Sequence, residues 1–246
     1  IDDTLKYFRA GFYDFAGQRL YVSRTGFTNE LGYEIYAGPE TDHLALWDHI
    51  TACGAPHGME FSSCRAMTLR RIEGGILGNL TDMDTSMTPF EAGLGPCIDM
   101  DKGDFIGRSA LVGKDQRTCL FGATCVSATP SAGSQILDGD LVVGRITAGV
   151  PSPTLQLGIG YVVFAKPGNW VGRTLQMRLP DGTSHDVQIV TLPFFDREKT
   201  SSAASTAPSR RSQPKRGRPQ GRKSRSHHVF GRSPMSPAHQ DRFIPW

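Results

Sequence analysis

The sequence has few cysteines and histidines, the residues that would cross-link a fold or coordinate a metal. Its five cysteines are odd in number and none forms a Cys-x-x-Cys pair; they are Cys53, Cys64, Cys97, Cys119 and Cys125. The seven histidines are scattered without metal-ligand spacing. We therefore expect neither a disulfide framework nor a metal site. Free or buried thiols suit a reducing compartment, so we expect a cytoplasmic protein.

Long apolar runs and a targeting signal are also lacking. No stretch approaches the roughly 18 apolar residues that would span a membrane, so no membrane partner is expected. The chain begins at Ile1 with neither an initiator methionine nor a signal-like segment. From this we expect that further sequence precedes it.

Acidic and apolar residues are scarce in the last fifth of the chain. After Lys199 there are ten lysines and arginines against one acid, Asp241, so this part has a net charge of +9. The whole chain has a formal charge of only +3, which leaves −6 for the first 199 residues. An acidic body and a basic low-complexity tail are two different objects, and residues 200–246 are predicted to be disordered.

The tail contains one motif, Lys215–Pro219 (KRGRP), which is similar to the core of an AT-hook. Such a strand lies in the narrow A·T minor groove, so nucleic acid is a partner only if this motif functions. The abrupt change of composition favours the alternative that the tail is merely solvated or is non-native, through a shifted reading frame.

The body predicts an α+β protein. Before residue 103, we expect short strands and two helices, the second capped by Ser62 or Ser63 and closed by Gly74-Gly75. The strands are predicted at Arg19–Ser23 and Gly32–Tyr36, and the helices at Thr41–Ala52 and from the serine cap to Glu73. Residues 78–95 read as an ordered loop.

From Cys119 onward the sequence changes to short segments rich in valine, isoleucine and leucine. Asp138-Gly139 and Asp181-Gly182 are dipeptides typical of hairpins. Five or six such strands predict a small barrel or sandwich, with a boundary near Gly103–Asp104. The predicted strands are Cys119–Ser127, Leu141–Thr147, Gly158–Phe164, Thr174–Leu179 and Val187–Leu192.

An ordered set of motifs resembles the aminomethyltransferase family, which contains the glycine cleavage T-protein and tetrahydrofolate-dependent demethylases. Residues Arg24–Ile35 (RTGFTNELGYEI) resemble the family's R-T-G-Y-T-G-E-x-G-Y/F-E-I segment. Further matches are Thr88–Gly95 (TPFEAGLG), Asp104–Leu111 (DFIGRSAL), Gly144–Leu155 (GRITAGVPSPTL), Ile159–Val162 (IGYV) and Pro193–Asp196 (PFFD). They follow the family's order and spacing.

The resemblance implies a fold of three parts around a central folate site. Residues 1–103 would be the C-terminal part of the folate-binding domain, and residues 104–199 the small β-barrel domain. The portion of the family that supplies the carboxylate implicated in catalysis lies before the matched region, so the catalytic residue stays unknown. The resemblance therefore implies a truncated chain that is inactive alone.

Glu34 is the first candidate site residue. The pterin ring of folate presents N3–H beside a 2-amino group, and one carboxylate can accept both hydrogens. The second glutamate of the resembling motif has this role in the family, and Glu34 occupies its place. The alternative is a strand-edge glutamate that faces solvent.

Three further motif residues surround that position. Phe27 stands where relatives carry tyrosine, and the resemblance implies stacking on the ligand; the alternative is a core aromatic. Glu30 keeps a family acid and would bind the cofactor or fix the turn. Asn29 replaces a glycine, and asparagine tolerates left-handed backbone.

The second helix departs from the family. Many relatives have the pattern Arg-Asp-x-Leu-Arg-Leu-Glu, whose first arginine contacts folate, and without gaps that arginine falls on Met67. Only Arg71 and Glu73 match, so Arg71, with Arg65 or Arg70 as substitutes, is a candidate for folate contact. The alternative is that these arginines are ordinary surface charges. Asp82 and Asp84 lack the context of a calcium loop, and we expect them to bond within the loop.

The resemblance implies transfer of an aminomethyl or methyl group to tetrahydrofolate. The donor would be an aminomethyl-lipoyl carrier protein or a small methylated compound. Two other functions remain open from the sequence, a non-catalytic folate-binding protein and a DNA-associated protein that acts through its tail.

Overall fold

The computed structural model describes residues 5–195 and the backbone of a two-residue strand, Arg242–Phe243. The remainder of the predicted disordered tail, with Lys215–Pro219, lies outside these residues. Strands β1–β3 are Arg9–Phe15, Gln18–Ser23 and Glu34–Tyr36, and helices α1–α3 are His43–Gly54, Cys64–Glu73 and Arg108–Leu111. Strands β4–β9 are Leu120–Cys125, Gln135–Asp138, Leu141–Ser152, Leu157–Phe164, Thr174–Arg178 and Ser184–Val190, and Arg242–Phe243 is β10.

The first region contains an antiparallel sheet in the order β10-β1-β2-β3. Phe12 lies opposite Tyr21, which lies opposite Tyr36, so three aromatic rings form a row across the sheet. Their centroids are 5.2 Å and 5.8 Å apart. Because side chains alternate along a strand, Ser23 and its partner Glu34 lie on the same face as this row. Leu20 and Val22, on the other face, are buried.

The two longer helices begin at side-chain caps. Asp42 accepts a hydrogen bond from the Ala45 amide at 3.0 Å, and Ser63 accepts one from Ala66 at 3.3 Å. These bonds satisfy amides that have no partner inside the helix. The cap predicted at Ser62 or Ser63 is therefore confirmed at Ser63. Helix α2 ends at Glu73 and is followed by Gly75 in the left-handed region, at φ +76°.

The second region is a closed barrel in the order β4-β7-β6-β5-β8-β9, so the α+β prediction with a small all-β barrel is confirmed. Its interior is filled by buried apolar side chains that include Phe121, Ile136, Ile146, Met177 and Ile189. The hairpin dipeptides place Gly139 and Gly182 at positive φ, +61° and +88°. A glycine adopts this conformation without a steric cost.

Strand β6 changes faces at Thr147. The register with β7 shifts between Ile146 and Ala148, which marks a bulge. Ile146 packs inside the barrel, whereas Ala148 and Val150 join an outer cluster that contains Ile72 of helix α2. The bulge therefore lets one strand fill the barrel core with one half and seat α2 on the barrel's outer wall with the other.

The structure of residues 5–195 bears on membrane spans, metal sites and the state of the cysteines. Within these residues, no helix has the length and apolar character needed to cross a membrane. No group of three or more His, Cys, Asp or Glu side chains in that part of the chain is arranged to hold a metal. All five cysteines are free thiols, and Cys119 and Cys125 are buried.

Candidate functional site

Glu34 lies at the start of β3 in a cradle of hydroxyl groups. Its Oε2 atom accepts hydrogen bonds from Thr25, from Ser23 at 3.4 Å and from Tyr36 at 3.3 Å. Ser23 and Thr25 are buried and share a bond of 2.5 Å between their hydroxyl oxygens. The carboxylate is thus held in one orientation by short side chains that have little freedom of their own.

The cradle leaves part of the Glu34 carboxylate available. All three hydroxyl bonds reach Oε2, and among residues 5–195 no hydrogen bond reaches Oε1. Glu34 is half-buried, so it is neither sealed in the core nor a freely solvated edge residue. An ionised carboxylate in this setting can accept hydrogens from a planar donor edge. The pterin role of Glu34 stays a prediction that this geometry fits.

Phe27 is half-buried in the connection between β2 and β3. The guanidinium of Arg71 lies 6.0 Å from the centre of its ring. Asn29, two residues later, has φ +62°, so the expected left-handed turn at this asparagine is confirmed. The structure brings Phe27 and Arg71 together, as a shared ligand site would require, and the roles of both residues stay predictions.

Arg71 is a buried group rather than a surface charge. Its side chain is 8% exposed and forms an ion pair of 2.5 Å with Asp82, which is fully buried. Asp82 also accepts from the Gly78 amide at 2.7 Å and from Thr147 Oγ1 at 2.6 Å. The interpretation of Arg71 as an ordinary surface charge is therefore wrong, and the expected loop bonding of Asp82 is confirmed.

Glu30 and Arg70 form an ion pair that ties the motif segment to helix α2. Arg70 also contacts Glu73 at 2.6 Å, so one guanidinium bridges two carboxylates. Arg65, by contrast, is exposed at the start of α2, and the described part of the chain gives it no side-chain hydrogen bond or ion pair. Of the two substitute arginines that the sequence suggests, Arg70 lies beside the motif segment and Arg65 is on the open surface.

Sequence reasoning missed how helix α2 meets the barrel. Glu73, 1% exposed, accepts from Ser152 Oγ at 2.5 Å and from Thr154 Oγ1 at 3.1 Å. Tyr161, also fully buried, donates its hydroxyl toward backbone carbonyls at the end of α2, 3.0 Å from those of Arg71 and Ile76. Burial raises the pKa of Tyr161 well above its ordinary value. The one available signal was that Glu73 matches the glutamate of the family pattern.

A separate cavity of about 500 Å³ lies along the segment that follows Phe90. Its lining includes Pro96, Met100 and the two acids Asp99 and Asp101, and none of the predicted site residues. Two carboxylates without a cation do not match a site for anionic folate. We therefore place the candidate site at Glu34, on chemistry rather than on cavity size.

Two family models match the chain. The model described as the GCVT N-terminal domain matches residues 1–102, and the one described as the glycine cleavage T-protein C-terminal barrel domain matches residues 119–196. The second match coincides with the closed barrel. Together the matches cover the sheet region, helix α2 and the barrel.

Curated relatives and a solved structure agree with these matches. An aminomethyltransferase of Streptomyces avermitilis is 34% identical over 209 residues, which are 80% of this chain and 55% of the relative. One from Saccharopolyspora erythraea is 32% identical over 79% of this chain and 54% of the relative. The crystal structure of glycine cleavage system aminomethyltransferase T from Bartonella henselae superposes with a TM-score of 0.63 at 23% identity, over 71% of this chain and 49% of that one. This chain thus spans about half the length of these relatives.

Proposed function

This chain belongs to the aminomethyltransferase (glycine cleavage T-protein) family, and from that premise we propose that it forms the pterin-binding part of a tetrahydrofolate-dependent one-carbon transferase. The observation that carries the proposal is the hydroxyl cradle that orients Glu34 and leaves Oε1 without a hydrogen bond among residues 5–195. The match of the surrounding motif gives that carboxylate its partner, the N3–H and 2-amino edge of the pterin.

The residues of this chain would bind and orient rather than perform the covalent step. Glu34 would fix the pterin edge through charge-assisted hydrogen bonds, and Phe27 would cover a ring face. Tetrahydrofolate supplies N5 as the acceptor of the one-carbon unit. Holding N5 in line with the donor carbon, away from water, is the main catalytic contribution that such a site can make. No described residue is assigned as the general acid or base.

Two donor classes remain within the proposal. The names of the curated relatives support an aminomethyl donor, which would be carried on a lipoyl group of a partner protein. The departure at Met67 and the Arg-Arg-Ile-Glu-Gly-Gly sequence support a methylated small molecule, as in the demethylases. Transfer assays with each donor and tetrahydrofolate separate the two. Folate binding without transfer from either donor would support a non-catalytic folate-binding protein instead.

The binding step is tested by replacing Glu34. In the full chain, Glu34→Ala is expected to weaken tetrahydrofolate binding by about 2–3 kcal/mol, because two charge-assisted bonds are lost. Isothermal titration measures the affinity. Glu40→Ala, which removes an exposed carboxylate six residues away, is the matched control and should bind as the unmodified chain does. Equal affinities in all three proteins would remove Glu34 from the site.

A further inference from the structure

The segment between β2 and β3, residues 24–33, is pressed against the end of helix α2, and we call it the motif loop. Gly74 packs directly on Asn29, and a Cβ added to Gly74 would overlap the Cβ of Asn29. Asn29 itself has φ +62°, a backbone conformation with few alternatives for a residue other than glycine. The backbone of the motif loop therefore depends on where the last turn of α2 lies.

The side chain of Arg70 adds ionic contacts to this backbone contact. Arg70 pairs with Glu30 of the motif loop and, at 2.6 Å, with Glu73 one turn further along α2. Its guanidinium also lies 5.9 Å from the ring centre of Phe195. In the pattern of the resembling relatives, position 70 is a leucine, which could make none of these ionic contacts. The bridge therefore depends on the arginine by which this sequence departs from that pattern.

Glu73 continues the connection into the barrel. It accepts from Ser152 Oγ at 2.5 Å and from Thr154 Oγ1 at 3.1 Å, both at or beyond the end of β6. Its backbone carbonyl accepts from the amide of Phe195 at 3.1 Å. Since Glu73 is 1% exposed, water does not compete for these bonds. Three polar links thus run from Glu30 through Arg70 and Glu73 to Ser152.

We infer that Arg70 is a positioning residue, through which the barrel holds the motif loop in the conformation that binds the pterin. The inference rests on the proposed function, because the loop carries Phe27 and ends one residue before Glu34. The polar partners of Arg70 are Glu30, Glu73 and Thr154, not Phe27 or Glu34. Arg70 acts on Glu30, and through Glu30 on the loop backbone, while Ser152 and Thr154 fix the other end of the bridge.

Charge accounts for why an arginine is needed. Glu30 and Glu73 would repel each other without a cation between them, and Glu73 would be a buried carboxylate held only by hydroxyl groups and one amide. A lysine could reach one carboxylate but lacks the fork that binds two. We therefore expect Arg70→Lys to keep part of the restraint on the motif loop and Arg70→Leu to keep none of it.

The loop is tested first without folate. Amide hydrogen exchange of residues 24–33 is measured in the full chain and in Arg70→Leu, Arg70→Lys and Glu30→Gln. We expect exchange to rise on the order of fivefold in Arg70→Leu and Glu30→Gln, and less in Arg70→Lys. Arg178→Leu, an exposed arginine of β8, is the control and should leave these amides unchanged. Unchanged exchange in Arg70→Leu would overturn the inference.

The barrel end of the bridge gives an independent variant. Ser152 lies far from Glu30 in sequence, and its hydroxyl is linked to the motif loop through Glu73 and Arg70. We expect Ser152→Ala to raise loop exchange in the same direction as Glu30→Gln, and the double variant to add little. Full additivity would mean that the two ends do not communicate and would overturn the inference.

Folate titrations then separate positioning from simple stability. If Arg70 positions the loop, Arg70→Leu should weaken tetrahydrofolate binding on the order of fivefold at a temperature where the protein is fully folded. A merely structural arginine would lower the melting temperature and leave that dissociation constant unchanged. If the unmodified chain binds no tetrahydrofolate, the proposed function fails, and the exchange results alone decide whether the barrel holds the loop.

Discussion

The barrel and the sheet region bury their apolar side chains by different means. The barrel closes on itself, so each of its strands has two neighbours and its interior side chains contact one another from all sides. The sheet of β1–β3 buries only one of its faces. On the opposite face, Phe12 is 58% exposed and Tyr36 is 51% exposed. Apolar packing thus stabilises the barrel, whereas the sheet region depends more on how it is joined to its surroundings.

The junction between the two regions is polar as well as apolar. Ile72 packs on the barrel's outer wall, yet Arg71, Glu73 and Asp82 are all buried there and all bonded. Each of these charged groups needs partners from more than one segment. The barrel should therefore be sensitive mainly to changes in side-chain volume, and the junction mainly to changes in charge.

The largest effect is expected at the junction. Arg71→Met leaves Asp82 as a buried carboxylate without its cation, which should lower the free energy of unfolding by about 3–5 kcal/mol. Because the side chains of Arg71 and Asp82 are 8% and 0% exposed, solvent screening does not reduce this cost. Urea denaturation measures it. Arg117→Met, which breaks the exposed pair with Asp115, is the control and should be neutral. A neutral Arg71→Met would show that the junction is held by packing alone.

A smaller effect is expected from truncating apolar side chains, and it should differ between the barrel and the first region. Ile136 is fully buried inside the barrel, and Ile136→Ala should cost about 3 kcal/mol because the closed wall cannot collapse into the space. Leu46→Ala should lower the free energy of unfolding by a smaller amount, because Leu46 is the one buried residue of α1 and its surroundings are partly open. Hydrogen exchange of β4–β9 and of β1–β3 assigns each loss to its region. Equal losses would contradict the comparison.

The smallest effect concerns the Tyr161 hydroxyl, which links the two regions. Tyr161→Phe should lower stability at pH 7 by about 1–2 kcal/mol, because carbonyls at the end of α2 lose a buried donor. The raised pKa of Tyr161 also makes the stability of the fold depend on pH in a definite direction. The unfolded chain ionises near 10.0 and the folded one only above it, so this stabilisation is complete below pH 10 and is lost as the pH rises further.

That pH dependence is measured as unfolding free energy between pH 8 and 11. Burial also raises the pKa of the Cys119 thiol, so both proteins should carry Cys119→Ala. The fall in stability above pH 10 should then be shallower in Tyr161→Phe than in its parent. Parallel curves would place the ionising group elsewhere.

Local chemistry predicted much of the fold. The serine cap of α2, the hairpin glycines and the β-branched strands of the barrel are each specified within a few neighbouring residues. Strand β1 was not predicted, and the reason is visible in its turn to β2. Ala16 and Gly17 both have positive φ, at +48° and +79°, as a two-residue hairpin requires. An alanine in the first position hides the signal that asparagine or glycine would give.

The candidate site divides in the same way. Glu34, Phe27 and Asn29 lie within one motif, and the resemblance alone suggested them. The partners of Asp82 and Glu73 could not be predicted, because Thr147 and Ser152 lie 65 and 79 residues further along the chain. These contacts exist only once the barrel has closed and presented its outer wall to α2. Periodicity within a segment carries no information about such pairs.

The bulge at Thr147 has a consequence for how this sequence can change length. Deleting Thr147 would restore a regular ladder between β6 and β7 and would leave residues 148–152 on their present face, because Ile146 and Ala148 already pair with adjacent residues of β7. The cost would be the Thr147 hydroxyl, which bonds the buried Asp82 at 2.6 Å. A residue inserted between Ala148 and Ser152 would instead turn Ser152 away from Glu73. This stretch should therefore tolerate the loss of one residue better than the gain of one.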